Sequence, residues 1–353
     1  MSVDSYRDQE PGRPDVLAEH PHISIAHGSG GRLMHQLIDN VFAPLFKNPD
    51  FESQHDGALL EIAGAKLAFT TDSYVVNPLF FPGGDIGTLA VCGTVNDLAM
   101  CGARPLYLCA SFIIEEGFPT DSLWRIALSM RQAAMKAGVH IVSGDTKVVD
   151  RGCGDGVYIT TSGVGLVNQG LEISPRAVKP GDAIIINGDI GRHGIAVMSQ
   201  REGLSFETRI ESDCAPLGAP VMQLLEKGID IHCLRDLTRG GLATTLVEIA
   251  ESSCLHIGID DRKVPIRDEV LGACEMLGLD PMYVANEGRF VAFVPAREAE
   301  QTVAILGDCS PDLTPVIIGE VSDGERGVVT MKSIIDAERI VDMLSGEQLP
   351  RIC

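Results

Sequence analysis

The chain is short of positive charge. It carries 28 Lys and Arg against 49 Asp and Glu, a net charge of -21. That excess repels phosphate backbones and anionic lipid, so nucleic acid and membrane surfaces are excluded as partners. No apolar run approaches the ~20 residues that span a bilayer. Residues Met1 to Pro21 are polar and hold no apolar stretch of signal-peptide type, which points to a cytoplasmic protein. Ten cysteines are present, yet none forms a CxxC pair. In a reducing compartment they read as free thiols, and zinc or iron–sulfur ligation is not expected. Two nucleotide motifs are missing as well. Gly28-Ser29-Gly30-Gly31 is not followed by Gly-Lys-Ser/Thr, and Leu33 stands where a dinucleotide fingerprint needs its third glycine.

What is present suits two domains. The length of 353 residues exceeds one small core, and 45% hydrophobic residues exclude wholesale disorder. Residues 1–21 read as a disordered extension. A first domain spans 22–170, Pro175 to Pro180 reads as a junction, and a second domain spans 178–332. Residues 333–353 are expected to form a C-terminal helix and a mobile tail. Strands are predicted at Lys66 to Thr70, Leu106 to Ile113, Val139 to Ser143 and Val157 to Leu166. An Ala- and Gly-rich helix from about Asp85 to Cys101 is apolar nearly all round and should be buried. Beyond the junction, helices are predicted at Leu217 to Lys227, Gly241 to Glu251, Arg267 to Leu277 and Ala296 to Leu306. Strands fit Ala183 to Ile186, His256 to Ile259, Arg289 to Val294 and Pro315 to Val321. Strands and helices mix without strict alternation, which gives an α+β fold of two layers.

Four aspartates share a setting. Asp72 and Asp145 each stand where an apolar strand is expected to end. Asp97 sits with Asn96 inside the apolar helix, and Asp236 opens a segment leading into a helix. Converging buried carboxylates repel one another unless a cation lies among them, and hard oxygen donors select Mg²⁺ or Ca²⁺. Each aspartate taken singly is a cap or turn residue. As a set, Asp72, Asp97, Asp145 and Asp236 are candidate ligands for a metal arriving with nucleotide phosphates. Gly28-Ser29-Gly30-Gly31 and Arg239-Gly240-Gly241 could present backbone N–H groups to phosphate. Lys147 could add a point charge, and Glu287 in Asn286-Glu287-Gly288 is a candidate base.

The last residue of the sequence is Cys353. The preceding Ser345 to Pro350 contains Gly and Pro, so it reads as extended and mobile. Nine extended residues reach roughly 30 Å, enough to carry a thiol into a site and out again.

Together these stretches resemble the HypE family of hydrogenase maturation proteins, within the aminoimidazole ribonucleotide synthetase (PurM-like) superfamily. The resemblance rests on His27 to Gly31, Thr71-Asp72-Ser73, Asn96 to Met100, Ser143 to Lys147, Arg235 to Gly241, Asn286-Glu287-Gly288 and Pro350-Arg351-Ile352-Cys353. It covers about His22 to Cys353; only the polar extension departs from it. It implies two PurM-like domains, the first binding ATP and forming a β-barrel shared by a homodimer. It implies ATP and Mg²⁺ as cofactors. A HypF-type carbamoyltransferase would load a carbamoyl group onto Cys353. ATP-driven dehydration would turn the thiocarboxamide into a thiocyanate. A HypC–HypD complex would receive the cyano group for the nickel–iron centre. The expected nucleotide contacts are Gly28, Ser29, Gly30, Gly31, Asp72, Asn96, Lys147, Arg239 and Gly240. Cys353, Lys147 and Glu287 are expected to carry the chemistry. Rival readings are another enzyme of the superfamily, such as selenophosphate synthetase, a non-catalytic thiol carrier, and a thiol-based metal chaperone.

Overall fold

The computed structural model describes residues 22–46, 55–204, 209–310, 312–344 and 351–353. The expected extension, 1–21, and the segment Ser345 to Pro350 lie outside the described residues.

The first sheet has five strands: β1 (Ala58–Ile62), β2 (Ala65–Tyr74), β3 (Ala103–Glu115), β4 (His140–Val149) and β5 (Val157–Val167). Their order is β1-β2-β5-β3-β4, antiparallel except for the parallel β3/β4 pair. The sheet is open, so no barrel closes among the described residues of one chain. Strand β5 alternates buried and half-buried residues along its length, the period expected of a sheet with one face on a core. Strand β4 is an edge and is exposed almost throughout.

Helix α1 (Arg32–Leu37) precedes the sheet, and α2 (Ile86–Met100) crosses it. Asp85 caps α2 by accepting from Thr88 N–H at 2.8 Å, the usual role of Asp at a helix start. All residues of α2 except Thr88 and Asp97 are buried. The reason is positional. The helix packs on β2, β5 and α3 (Thr120–Ala137), and on the other side meets α5 (Gly218–Glu226) and β7 (Cys233–Asp236) of the second half. A helix covered on every side has no polar face to keep. Helix α3 shows one apolar stripe and stops at Gly138, whose φ of 71° is the left-handed cap that glycine permits.

The second half carries a seven-stranded sheet built from β6 (Asp182–Ile186), β7, β8 (His256–Asp260), β9 (Phe290–Pro295), β10 (Val316–Ser322), β11 (Val329–Lys332) and β12 (Glu338–Val341). The order is β12-β11-β8-β10-β6-β9-β7. Its interior strands β6 and β9 are buried on both faces. Helices α6 (Gly241–Ser253) and α8 (Ala299–Cys309) join α5 against it, and α4 (Arg192–Glu202) packs on α7 (Asp268–Leu277).

Two expectations change. Where a helix was expected within 333–353, β11 turns at Asp336 (φ 62°) into β12, which pairs antiparallel with it. Sheet edge pairing there overrides a locally helical composition. Asp72 and Asp145 do not end their strands: β2 runs on to Tyr74 and β4 to Val149.

Candidate active site

Three carboxylates meet where the two halves touch. Asp56 stands just before β1, Asp97 faces out of α2, and Asp236 ends β7; their oxygens lie within 4.8 Å of one another. Thr70 of β2 donates to Asp97 Oδ2 at 2.9 Å. Arg235 takes Asp56 Oδ1 at 2.6 Å and Glu248 Oε2 at 2.7 Å. Asp56 Oδ2 and Asp236 Oδ2 are buried with no hydrogen-bond partner. Burial, then the charges of Asp236, Asp72 and Asp56, pushes Asp97 well above the usual carboxylate range. Burial, then chiefly Asp56, does the same to Asp236. Orphaned oxygens and raised carboxyls fit a cation held among them, and an all-oxygen donor set would suit Mg²⁺ or Ca²⁺.

Asp72 is half-buried on β2. Burial raises its pKa against the opposing charge of Arg239. Arg239 also ties the two glycine-rich stretches together. Its Nη1 donates to the Gly28 carbonyl at 2.9 Å. Gly30, at φ 82°, packs so closely that a Cβ there would lie 2.8 Å from Arg239 Cβ. Gly240, at φ 81°, opens α6. Ser29, Gly30, Gly31, Arg239 and Gly240 thus line one cavity of ≈ 20 Å³ with Ile352.

Glu287 is 3% exposed, and its Oε1 has no hydrogen-bond partner. Burial, then Asp236, Asp213 and Asp72, raises its pKa well above the ordinary value; Arg239 opposes them. Asp213 accepts from the backbone N–H of Glu287 and of Gly288, both at 3.3 Å. Asn96 does a related job. Its amide nitrogen donates to the carbonyls of Ala215 (3.1 Å) and Glu287 (3.2 Å), and its oxygen accepts from Leu217 N–H (2.8 Å). Asn96, expected at the nucleotide, therefore has its amide spent on holding the Glu287 loop.

The tail reaches this place. Val75 N–H donates to the Cys353 oxygen at 3.2 Å and Asn77 N–H to the Arg351 carbonyl at 3.1 Å, so the tail pairs with the chain just past β2. Ile352 is 2% exposed and joins the core around α2, while Arg351 pairs with Asp155. Burial pushes the Cys353 thiol far up; Arg239 pulls it down, and Glu287, Asp72 and Asp236 add to the rise. The thiol therefore lies among the groups that sequence reasoning gathered for nucleotide and metal.

Asp145 and Lys147 are not brought there. They pair with each other at 2.9 Å on β4, 61% and 70% exposed. Sequence reasoning also missed Asp56 and Asp213. Asp56-Gly57 before an apolar run was a visible signal. Asp213 sits in a loop without pattern and had none.

Family models describe the two halves. Residues 54–167 match the N-terminal domain, and residues 179–332 the C-terminal domain, of AIR synthase related proteins. The carbamoyl dehydratase HypE of Azotobacter vinelandii is 50% identical over 331 residues, 94% of this chain and 97% of that one. A crystal structure of a HypE–HypF complex shares 48% identity at a TM-score of 0.83, covering 87% of this chain and 99% of that one. A structure of HypE in complex with ATP shares 46% identity at 0.79, covering 93% and 98%. Among the described residues no helix is long and apolar enough to cross a membrane.

Proposed function

This chain belongs to the HypE family of AIR synthase related proteins, and we propose that it is the carbamoyl dehydratase that makes cyanide ligands for nickel–iron hydrogenase. The observation that carries the reading is the seat of the tail: Ile352 lines the cavity of Arg239 and Gly240, and the charges of Arg239, Glu287, Asp72 and Asp236 act on the adjoining Cys353 thiol.

The reaction balances as follows. The carbamoyl oxygen on the Cys353 sulfur attacks the γ-phosphorus of ATP, releasing ADP. The nitrogen gives up its two protons, and the activated oxygen departs as phosphate. A carbon–nitrogen triple bond remains on sulfur. An amide oxygen is a poor leaving group and a phosphate a good one, so the nucleotide is consumed for that exchange. A divalent cation held by Asp56, Asp97 and Asp236 would neutralise phosphate charge and offset the Asp236 charge that adds to burial in raising the Glu287 pKa. Arg239 and the backbone of Gly28, Ser29, Gly30, Gly31 and Gly240 would face the phosphates. Glu287, carried on a loop fixed by Asn96 and Asp213, would take protons from nitrogen. The docked thiol is half-buried and its pKa is raised, both of which disfavour attack on a partner's substrate, so the carbamoyl group would be accepted from a HypF-type partner with the tail undocked. A HypC–HypD complex would receive the cyano group in the same undocked state.

The working unit in this reading is a homodimer. Strand β4 is an exposed edge bearing Ile141, Val142 and Val148, and long apolar edges are normally covered. Pairing through β4 would bring Asp145 and Lys147 of one copy toward the site of the other.

The test is mass spectrometry of the C-terminal peptide after incubation with the carbamoylating partner, then with MgATP. Gain of a carbamoyl group, followed by ATP-dependent loss of one water, supports the reading. A carbamoylated tail that persists with MgATP would sink it.

A further inference from the structure

We propose that His193 is a positioning residue: one tautomer of its ring hooks the Ile352 carbonyl and so seats the Cys353 thiol against the Glu287 loop. The inference rests on the reading of Cys353 as the group carrier.

His193 is fully buried in the first turn of α4. Its Nε2 lies 3.0 Å from the Ile352 carbonyl oxygen and its Nδ1 2.8 Å from Ser212 Oγ. A carbonyl can only accept, so Nε2 carries the proton. In the neutral ring Nδ1 must then accept from the Ser212 hydroxyl. Ser212 Oγ in turn accepts from Cys214 N–H at 3.1 Å. The relay runs one way, from the Cys214 amide through Ser212 and the ring to the tail. Burial depresses the His193 pKa against the pull of Asp213, which keeps the ring neutral. The Phe81 ring meets the imidazole edge-on at 5.3 Å and fixes its plane.

The placement ties tail to base. Ser212 sets the tautomer of His193, and its neighbour Asp213 holds the backbone of Glu287 and Gly288. Helix α4 is joined to the same loop, since Gly194 N–H donates to Ala285 O at 3.0 Å and Gly191 N–H to Asn286 Oδ1 at 2.7 Å. One dipeptide therefore fixes both the hook for the thiol and the acid that works beside it. Arg201, about two turns further along α4, takes the next carbonyl back, that of Arg351, at 2.7 Å. The hook reads backbone, so it grips the tail whatever Cys353 carries.

The test is the rate at which dilute iodoacetamide alkylates Cys353, read by mass spectrometry of the C-terminal peptide in the full chain. A docked tail protects the thiol, so the rate follows the undocked fraction. Loss of one hydrogen bond to a buried carbonyl should raise that fraction about tenfold in His193→Ala. His193→Gln places an amide N–H near the Nε2 position and should return the rate close to wild type. His193→Asn places it near Nδ1 and should label as fast as alanine. Melting temperature and MgATP affinity, measured alongside, establish that each variant is folded. Should the alanine variant not fold, a chain ending at Pro350 leaves the His193 side untouched. Imidazole ¹⁵N NMR should show an Nε2–H tautomer in the full chain, with that N–H signal shifted or lost in the shorter one. Equal labelling rates in folded wild type and His193→Ala, or identical imidazole signals with and without residues 351–353, overturn the proposal. The labelling pattern supports the hook whether or not thiocyanate forms, and equal rates overturn it even if thiocyanate does.

Discussion

Arg235 Nε lies 2.6 Å from Asp56 Oδ1, joining the segment that leads into β1 to the edge strand of the second sheet. The contact pins one oxygen of Asp56 and leaves the other, Oδ2, buried without a hydrogen-bond partner beside Asp97 and Asp236. The two halves thus share one acidic centre. A centre built this way is best formed when both halves are docked, which makes its occupancy a report on the whole fold.

The first prediction concerns that centre. Asp97→Asn and Asp236→Asn remove the charge while keeping the shape. Each should weaken MgATP binding at least about tenfold, since a ligand oxygen's charge is lost from a desolvated site. Titration calorimetry checks it. Unchanged affinity in both variants would remove the aspartates from the nucleotide site.

The second concerns pH and metal. Asp97, Asp236 and Glu287 have folded pKa values raised above their unfolded ones. Such groups contribute stability below the unfolded carboxylate pKa of about 4 and lose it as pH rises through the folded value. Asp260, lowered to about 2 beside Arg262, and Asp189, also depressed, act in the opposite sense but only in more acidic solution; His193, depressed by burial, opposes the three carboxyls below the ordinary histidine pKa of about 6.5 and is outnumbered by them. The metal-free chain should therefore melt lower at about pH 8 than at about pH 5. Mg²⁺ needs ionised ligands, so the stabilisation it adds should be larger at the higher pH. Scanning calorimetry with and without chelator gives the comparison. A Mg²⁺-induced shift equal at both pH values would overturn it.

How far the sequence carried this picture follows from what sequence patterns encode. The all-apolar α2 was readable because burial on every side leaves no polar stripe, and Asp97 stood out against it. Asp236 and Glu287 were readable as acids flanked by glycine and apolar strands. Asp56 was not gathered, because its partners Asp97 and Arg235 are distant in sequence and only the docking of the two halves brings them together. The contacts of Asn96 were out of reach for the same reason: its partners at 215, 217 and 287 exist only in the fold. Strand ends were misplaced at Asp72 and Asp145 because a polar residue in a strand looks like its boundary. Among the described residues of 333–353 a hairpin, turning through the left-handed Asp336, stands where a helix was expected.

The third prediction separates proton transfer from binding. Glu287→Gln keeps the loop geometry set by Asn96 and Asp213, because both bond the backbone rather than the carboxyl. The variant should bind MgATP and accept the carbamoyl group, yet form thiocyanate at least about a hundredfold more slowly, the lower range for a lost general base. Single-turnover mass spectrometry measures the rate. Dehydration at the wild-type rate would pass the proton to another group.

The last prediction concerns Asp145 and Lys147. Their mutual ion pair is largely exposed, and such pairs contribute little stability. They sit on an edge strand, and the charges that shift the Cys353 thiol do not include them. If they serve the reaction, they must serve it across a dimer. A mixed dimer decides the matter, because a shared site and a self-contained site give opposite results. Combine a Cys353→Ala chain with a Lys147→Ala chain, each inactive alone. In a shared site, the intact tail of the second chain meets the intact Lys147 of the first, and that site works. The companion site lacks both groups. With random mixing, half the dimers are mixed and each has one working site, so activity should return to about a quarter of wild type. In a self-contained site, every chain with a thiol lacks its lysine, and nothing returns. The same should hold with Asp145→Asn in place of Lys147→Ala. No recovery, in a preparation shown by native mass spectrometry to contain mixed dimers, would confine these two residues to their own chain. Wild-type rates in Lys147→Ala alone would instead show that the lysine is not needed at all.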